Sequence, residues 1–197
     1  MNLNQTNSLQ HHKLWVIIPA AGSGSRFSKQ ALKQYQLIQS KTVLEHTVDR
    51  MSQLNLSGYV LVIGEHDTYA KTLHFSHADK AHFCLGGQER VHSVLNGLNY
   101  LSQIASEDDW VLVHDAARPC VDLASLQHLV DTAISQNVSA ILATPVRDTL
   151  KKSLEFESTI EKTVSRENIW QAQTPQMSKI GVLKRAIEKA LATDMMI

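Results

Sequence analysis

Two cations beside a glycine-containing loop are the most chemically suggestive feature of this sequence. Residues 19–35 read PAAGSGSRFSKQALKQY. Gly22 and Gly24 let the backbone approach a ligand closely and turn its N–H groups toward phosphate oxygens. Arg26 and Lys33 follow them. Cations at a phosphate cradle suit a reaction that develops negative charge on phosphate. No Gly-Lys-Ser/Thr follows, so this is not a Walker A loop. It also fails the dinucleotide fingerprint, because Phe27 stands where the third glycine belongs. Read alone, the same residues also fit a structural turn with exposed cations.

These residues need a scaffold, and the rest of the chain supplies one. LWVII (14–18) is short, β-branched and uninterrupted, which predicts a buried strand. YVLVIG (59–64), HFCLGG (82–87), WVLVHD (110–115) and AILATPV (140–146) predict four more. Between them, Val43–Leu54, Arg90–Leu101 and Leu123–Ile134 carry apolar residues at helical spacing, and Ile180, Leu183, Ile187 and Leu191 mark a last helix. This alternation predicts an α/β fold: a mostly parallel sheet with helices on both faces. Ligands of such sheets bind beyond the carboxyl ends of the strands, so polar residues after strands are the places to look. Residues 147–165 break the pattern, with Leu154, Phe156, Ile160 and Val164 spaced by twos and fours. That spacing fits an extended hairpin arm, or else a solvated loop.

Composition bounds the function. The chain has 197 residues, which suits one domain after a polar tail at 1–13 expected to be disordered. Lys+Arg and Asp+Glu are 19 each, which argues against a nucleic-acid-binding domain. No apolar run approaches the roughly 20 residues of a membrane span, and the first residues lack a secretory h-region. Two cysteines without a C-x-x-C fit a reducing, cytoplasmic setting. His74, His77 and His82 are the tightest histidine group, but no partner set completes a zinc site. Cys84, in an apolar strand, reads as inert core.

PAAGSGSRF…LKQY resembles the opening signature of nucleotidyltransferases with a Rossmann-like sheet. Within them it is most similar to the 2-C-methyl-D-erythritol 4-phosphate cytidylyltransferases of the non-mevalonate isoprenoid pathway. GGQERVHSV (86–94), VLVHDAARP (111–119), and TPVRDTLK (144–151) with the later QTPQ (173–176) match further family segments in order. The resemblance covers nearly all of residues 14–194 and identifies residues 147–165 as a dimerisation arm.

The resemblance implies transfer of the cytidylyl group of CTP to 2-C-methyl-D-erythritol 4-phosphate, with Mg²⁺ bound mainly through the CTP phosphates. Arg26 and Lys33 would stabilise the transition state at the α-phosphate. Pro19, Ala20, Ala21, Gly22 and Gly24 would line the nucleotide with backbone. Gly86, Gly87, Gln88, Arg90 and Ser93 would hold the cytosine side. Asp115 and Ala116 would sit near the triphosphate, Asp115 contacting the metal directly or through water. Arg118 would bind the acceptor. Thr149 and Arg166, flanking the arm, would reach the neighbouring subunit's site, Arg166 with a catalytic share, so a homodimer is implied. Thr174 and Thr193 match positions near the same site.

Two departures stand out. Relatives carry Pro where this chain has Leu32, which implies a looser approach to Lys33. Relatives also continue past Thr193-Asp194, adding a strand and an Asn-Ile-Lys motif whose lysine helps position the acceptor. No residue here matches that lysine. Two alternatives stand beside the leading reading: a CTP-dependent ribitol 5-phosphate cytidylyltransferase, whose nucleotide half would look similar, or an inactive, truncated nucleotide-binding form left by the missing segment.

Overall fold

The computed structural model describes residues 13–22, 32–155 and 157–193. Residues 1–12 of the polar tail, Gly24, Arg26 and Phe156 lie outside them, whereas Lys13, the last residue of the expected tail, lies within them and donates its N–H to Asp109 Oδ1 at 3.1 Å. Among the described residues ten strands run in chain order: β1 (Leu14–Pro19), β2 (Leu37–Ile38), β3 (Lys41–Thr42), β4 (Gly58–Ile63), β5 (Ala81–Leu85), β6 (Trp110–Val113), β7 (Ala140–Pro145), β8 (Leu150–Ser153), β9 (Ile160–Val164) and β10 (Trp170–Lys179). The α-helices among the described residues are α1 (Val43–Met51), α2 (Arg90–Leu101), α3 (Leu123–Gln136) and α4 (Ile180–Ala192).

The main sheet has the order β5-β4-β1-β6-β10-β7. Strands β5, β4, β1 and β6 are parallel to one another. The central strand shows why the sequence reads as it does. Leu14, Val16 and Ile18 enter one core with α1 and α3, whereas Trp15 and Ile17 enter the other with α2 and α4. A strand buried on both faces must be apolar without interruption. Val16, Ile17, Ile18, Val60, Leu61 and Val62 are completely shielded from solvent. Each such side chain contributes about 1.5–3 kcal/mol of burial. At Gly97 a Cβ would lie 2.9 Å from Ile17 Cγ2, so this glycine lets α2 settle directly on β1.

Strand β10 was not expected from the sequence. It runs antiparallel to both β6 and β7 and is wedged between them. Its pairing with β7 shifts register between Ala172 and Gln176. Pro175, which has no N–H to donate, falls in that irregularity. Several predicted ends also move. Helix α1 stops at Met51, and Leu54 is buried in the turn beyond. The strand WVLVHD ends at Val113, and HFCLGG ends at Leu85. His114, Asp115, Gly86 and Gly87 are therefore loop residues just past strand ends.

The arm takes the hairpin form. Val146 N–H donates to Ile169 O at 3.0 Å, and β8 then pairs antiparallel with β9 from Leu150 opposite Val164 to Ser153 opposite Ile160. These two strands make a separate sheet. No helix among the described residues is long and apolar enough to cross a membrane.

Candidate active site

Three loops leave the carboxyl ends of β1, β5 and β6 and meet. The first is anchored at Ala20, whose N–H donates to Val62 O at 2.7 Å. Pro19 is half-buried, Ala20 buried, Ala21 half-buried and Gly22 exposed, so the chain emerges from the core over four residues. The second loop touches the first directly. A Cβ on Gly86 would sit 2.3 Å from Ala21 Cβ and 3.0 Å from Ser93 Oγ. Glycine is what allows the two loops to be neighbours.

Ser93 is buried, and its hydroxyl accepts the Gly87 N–H at 3.1 Å. It thus shapes the Gly86-Gly87-Gln88 segment from beneath. Gln88 is exposed. Arg90, three residues before Ser93 on the same helix, turns instead toward the third loop.

There the carboxylate of Asp115 lies between two guanidinium groups. Its Oδ1 accepts from Arg90 Nε at 3.0 Å and pairs with Arg90 Nη2 at 2.9 Å. Its Oδ2 accepts from Arg118 Nε at 2.9 Å. Asp115 is 30% exposed, against 49% for Arg90 and 56% for Arg118, so the cations form the outer surface. Two cations against one anion leave a net positive rim with unused N–H donors. That rim suits a multi-oxygen anion. Asp115 N–H points to Thr174 Oγ1 at 3.3 Å, which brings β10 to the site.

The turn carrying these groups is held from below. His114 is fully buried, and its Nε2 donates to Arg118 O at 2.9 Å. Burial pushes the imidazole below its ordinary pKa, against the raising effect of that hydrogen bond and of Asp115. The neutral ring carries its proton on Nε2, since a carbonyl can only accept. Thr47 Oγ1 lies 2.9 Å from Ala116 O and from Val43 O, so it links α1 to the turn. Ala116 itself is buried in the α1-side core, and its carbonyl shares the single Thr47 hydroxyl proton with that of Val43. Sequence reasoning missed His114 and Thr47 as supports. The available signal was a threonine on the apolar face of α1, between Leu44 and Val48.

Lys33 is exposed on a single 3₁₀ turn, Lys33–Tyr35. Thr149 and Arg166 are exposed at the base of the arm, and Arg166 O accepts Ile169 N–H at 3.1 Å. No described hydrogen bond or ion pair joins either side chain to the Asp115 cluster. Thr193 closes α4, its hydroxyl donating to Lys189 O at 3.0 Å. Cys84 is half-buried, and burial pushes its thiol up to about 11, consistent with an inert side chain. His82 packs against Trp15 and Tyr100, in keeping with a structural histidine. A cavity of about 330 Å³ adjoins Arg90, but Val94, Val113, Ile141 and Met177 make it apolar and unsuited to phosphates.

Comparison with known proteins places the chain in a family. The family model described as IspD, 2-C-methyl-D-erythritol 4-phosphate cytidylyltransferase, matches residues 14–196. The enzyme of that name from Acinetobacter baumannii strain SDF is 69% identical over 185 residues, covering 94% of this chain and 77% of the relative. The Vibrio parahaemolyticus protein of the same name is 47% identical over 178 residues, covering 89% and 74%. The crystal structure of the Francisella tularensis protein superposes with a TM-score of 0.78 at 36% identity, covering 92% of this chain and 79% of that one. The chain belongs to the 2-C-methyl-D-erythritol 4-phosphate cytidylyltransferase family.

Proposed function

We propose that this chain catalyses attack of the phosphate of 2-C-methyl-D-erythritol 4-phosphate on the α-phosphorus of CTP. The new P–O bond gives 4-diphosphocytidyl-2-C-methyl-D-erythritol, and the broken one releases pyrophosphate. Family membership supports the reaction. The observation that carries its chemistry is the Asp115 carboxylate shared by Arg90 and Arg118, beside the loops at Ala20–Gly22 and Gly86–Gln88.

A phosphate monoester has a second pKa of about 6 and is largely dianionic at pH 7. The nucleophile therefore needs no general base. The protein must instead hold two repelling anions in line and screen their charge. Arg118 would take the acceptor phosphate, while Lys33 and Arg26 would follow charge from the α-phosphate to the leaving pyrophosphate. Small residues at Ala20, Ala21 and Gly22 keep side chains out of the nucleotide's path. Gly86, Gly87 and Gln88 would read the cytosine edge through their backbone, with Ser93 fixing the Gly87 N–H.

A magnesium ion fits this donor set as a companion of CTP, not as a resident of the protein. Among the described residues no group of three or more His, Cys, Asp or Glu could hold one. Asp115 would be its carboxylate contact, directly or through water, and both oxygens now face arginines. When bound, such an ion neutralises triphosphate charge. The arm supports a homodimer: its strands form a sheet of their own, and Leu154, Ile160 and Trp170 are exposed. Thr149 and Arg166 would then serve the partner's acceptor site.

The test is Mg²⁺-dependent pyrophosphate release from CTP by the purified chain. Release with 2-C-methyl-D-erythritol 4-phosphate and not with ribitol 5-phosphate is expected. The opposite selectivity would replace the acceptor assignment.

A further inference from the structure

Lys33 stands on three residues of 3₁₀ helix whose N-cap, Leu32, makes no side-chain cap bond. So short a turn has little stability of its own. Yet a cation that must follow charge on a phosphate has to be placed to within a fraction of an ångström. Something other than the turn must fix it.

The two residues after Lys33 do so. Gln34 is buried, and its Nε2 donates to Ala20 O at 2.7 Å. Ala20 is the residue that begins the nucleotide loop, and its own N–H is bonded to Val62 O. Tyr35 donates its hydroxyl to Asp67 Oδ2, in the loop after β4. The other oxygen of Asp67 accepts Ala70 N–H at 3.1 Å, so the acceptor is itself held. The Tyr35 ring meets Tyr69 edge-on, with centroids 5.0 Å apart. Burial, and then Asp67, push the tyrosine pKa up, which keeps the hydroxyl a donor.

We infer that Gln34 and Tyr35 are positioning residues that clamp Lys33 in register with the nucleotide loop. Gln34 ties the turn to the backbone that meets the nucleotide, and Tyr35 with Asp67 ties it to the next strand's loop. The exposed Lys33 side chain projects from a turn gripped at two points. The inference rests on the reading of Lys33 as the cation at the α-phosphate.

Chemistry makes the clamp testable. A carbonyl accepts only, so Gln34→Glu sets a carboxylate oxygen against Ala20 O with no proton between them. Lowering the pH protonates that carboxyl, which can then donate as the amide did. Tyr35→Phe removes only the hydroxyl and keeps the packed ring. In pyrophosphate-release assays of the full chain, each variant is expected to lose about 10–100-fold in kcat, the scale of a 1 Å misplacement. KM for CTP is expected to stay nearly unchanged, because Val62 still anchors Ala20. The activity of Gln34→Glu relative to the parent chain should climb as the pH falls, and that of Tyr35→Phe should not. Placed in a Lys33→Ala background, neither substitution should cost more.

If Lys33→Ala is crippled but Gln34→Glu and Tyr35→Phe keep parental kcat, Lys33 retains its role and the clamp is refuted. The clamp is refuted equally if the losses multiply in the double variants, or if they fall on CTP affinity alone. If Lys33→Ala turns over normally, or the parent chain releases no pyrophosphate, the underlying reading of Lys33 fails and takes the clamp with it. Tyr35→Phe keeps the test decisive should a buried glutamate at position 34 impair folding.

Discussion

Arg90 and Arg118 approach Asp115 from different elements, one the first residue of α2 and the other the far side of the β6 turn, and each takes a separate carboxylate oxygen. The carboxylate thus sets the spacing of two cations that would otherwise repel. Exposed ion pairs of this kind contribute about 0–1 kcal/mol each. Asp115→Asn should therefore leave the melting temperature almost unmoved while lowering kcat/KM by about 10²-fold, the scale of misplaced catalytic groups. Thermal denaturation and pyrophosphate release on one preparation check both halves. A variant that melts early and retains full specific activity would reverse the assignment.

Lys33 has the complementary profile. Removing one charge-stabilising group of a transition state typically costs about 10²–10³ in kcat. Lys33→Ala should show that loss with little change in CTP binding, measured by calorimetry. Lost CTP affinity with intact turnover would assign it to ground-state binding instead.

Gly86 joins the nucleotide loop to the base-side loop. Gly86→Ala must move Ala21 or Ser93, because its Cβ would lie 2.3 Å and 3.0 Å from them. Overpacking of this kind costs about 1–3 kcal/mol. The same shift spreads the two loops, so CTP affinity should fall along with the melting temperature.

The N-terminus of α1 contributes to the acid limb of stability, alongside Asp49 and Asp122, whose carboxyls hydrogen bonds also hold below their ordinary values. Thr42 Oγ1 accepts Glu45 N–H at 3.1 Å, and Glu45 Oε2 accepts Thr42 N–H at 2.7 Å. His74 N–H donates to the other Glu45 oxygen at 3.1 Å. Burial pushes this carboxyl up, but the hydrogen bonds outweigh it and hold it below its ordinary value of 4.5. The unfolded chain therefore binds more protons in the acid range. The stabilisation is complete above the unfolded value and is lost as the pH falls through the folded one. Glu45→Gln should flatten the fall of the melting temperature below about pH 4.5. Thr42→Ala should cost about 1 kcal/mol at neutral pH.

The proposed arm exchange has its own signature. In a two-fold dimer where Arg166 serves the partner's site, Lys33→Ala and Arg166→Ala each disable every site. A hybrid of the two variants has one intact site. Mixing and re-equilibrating them should recover about a quarter of parental activity. No recovery would place Arg166 outside the partner's site.

The parallel strands were legible because double-sided burial forces an unbroken apolar run, as in Val16-Ile17-Ile18. Of the spaced residues at 147–165, Ile160 and Val164 fall in β9, whereas Leu154 lies just past β8. Strand β10 was not, because WQAQTPQMSK buries few apolar side chains and contains a proline. Its place in the sheet comes from backbone pairing and from small polar contacts such as Ser178 with Ser139, 2.8 Å apart. In the site, exposed charged residues could be named from the sequence. Their supports could not, because Thr47 and His114 act on carbonyl groups, and the Thr47 bond spans 69 residues. Backbone acceptors leave no mark on residue type.

Strand β10 also carries a mechanical consequence. Trp170, paired with Pro145, stands at the root of the arm, and Thr174 meets the backbone of Asp115. Four residues of strand, about 13 Å, separate them. The register shift that begins at Ala172 lies on that span, so the root of the arm and the Asp115 turn share one strand but not one unbroken ladder. A load applied at the arm would meet that irregularity before it reached the backbone of Asp115.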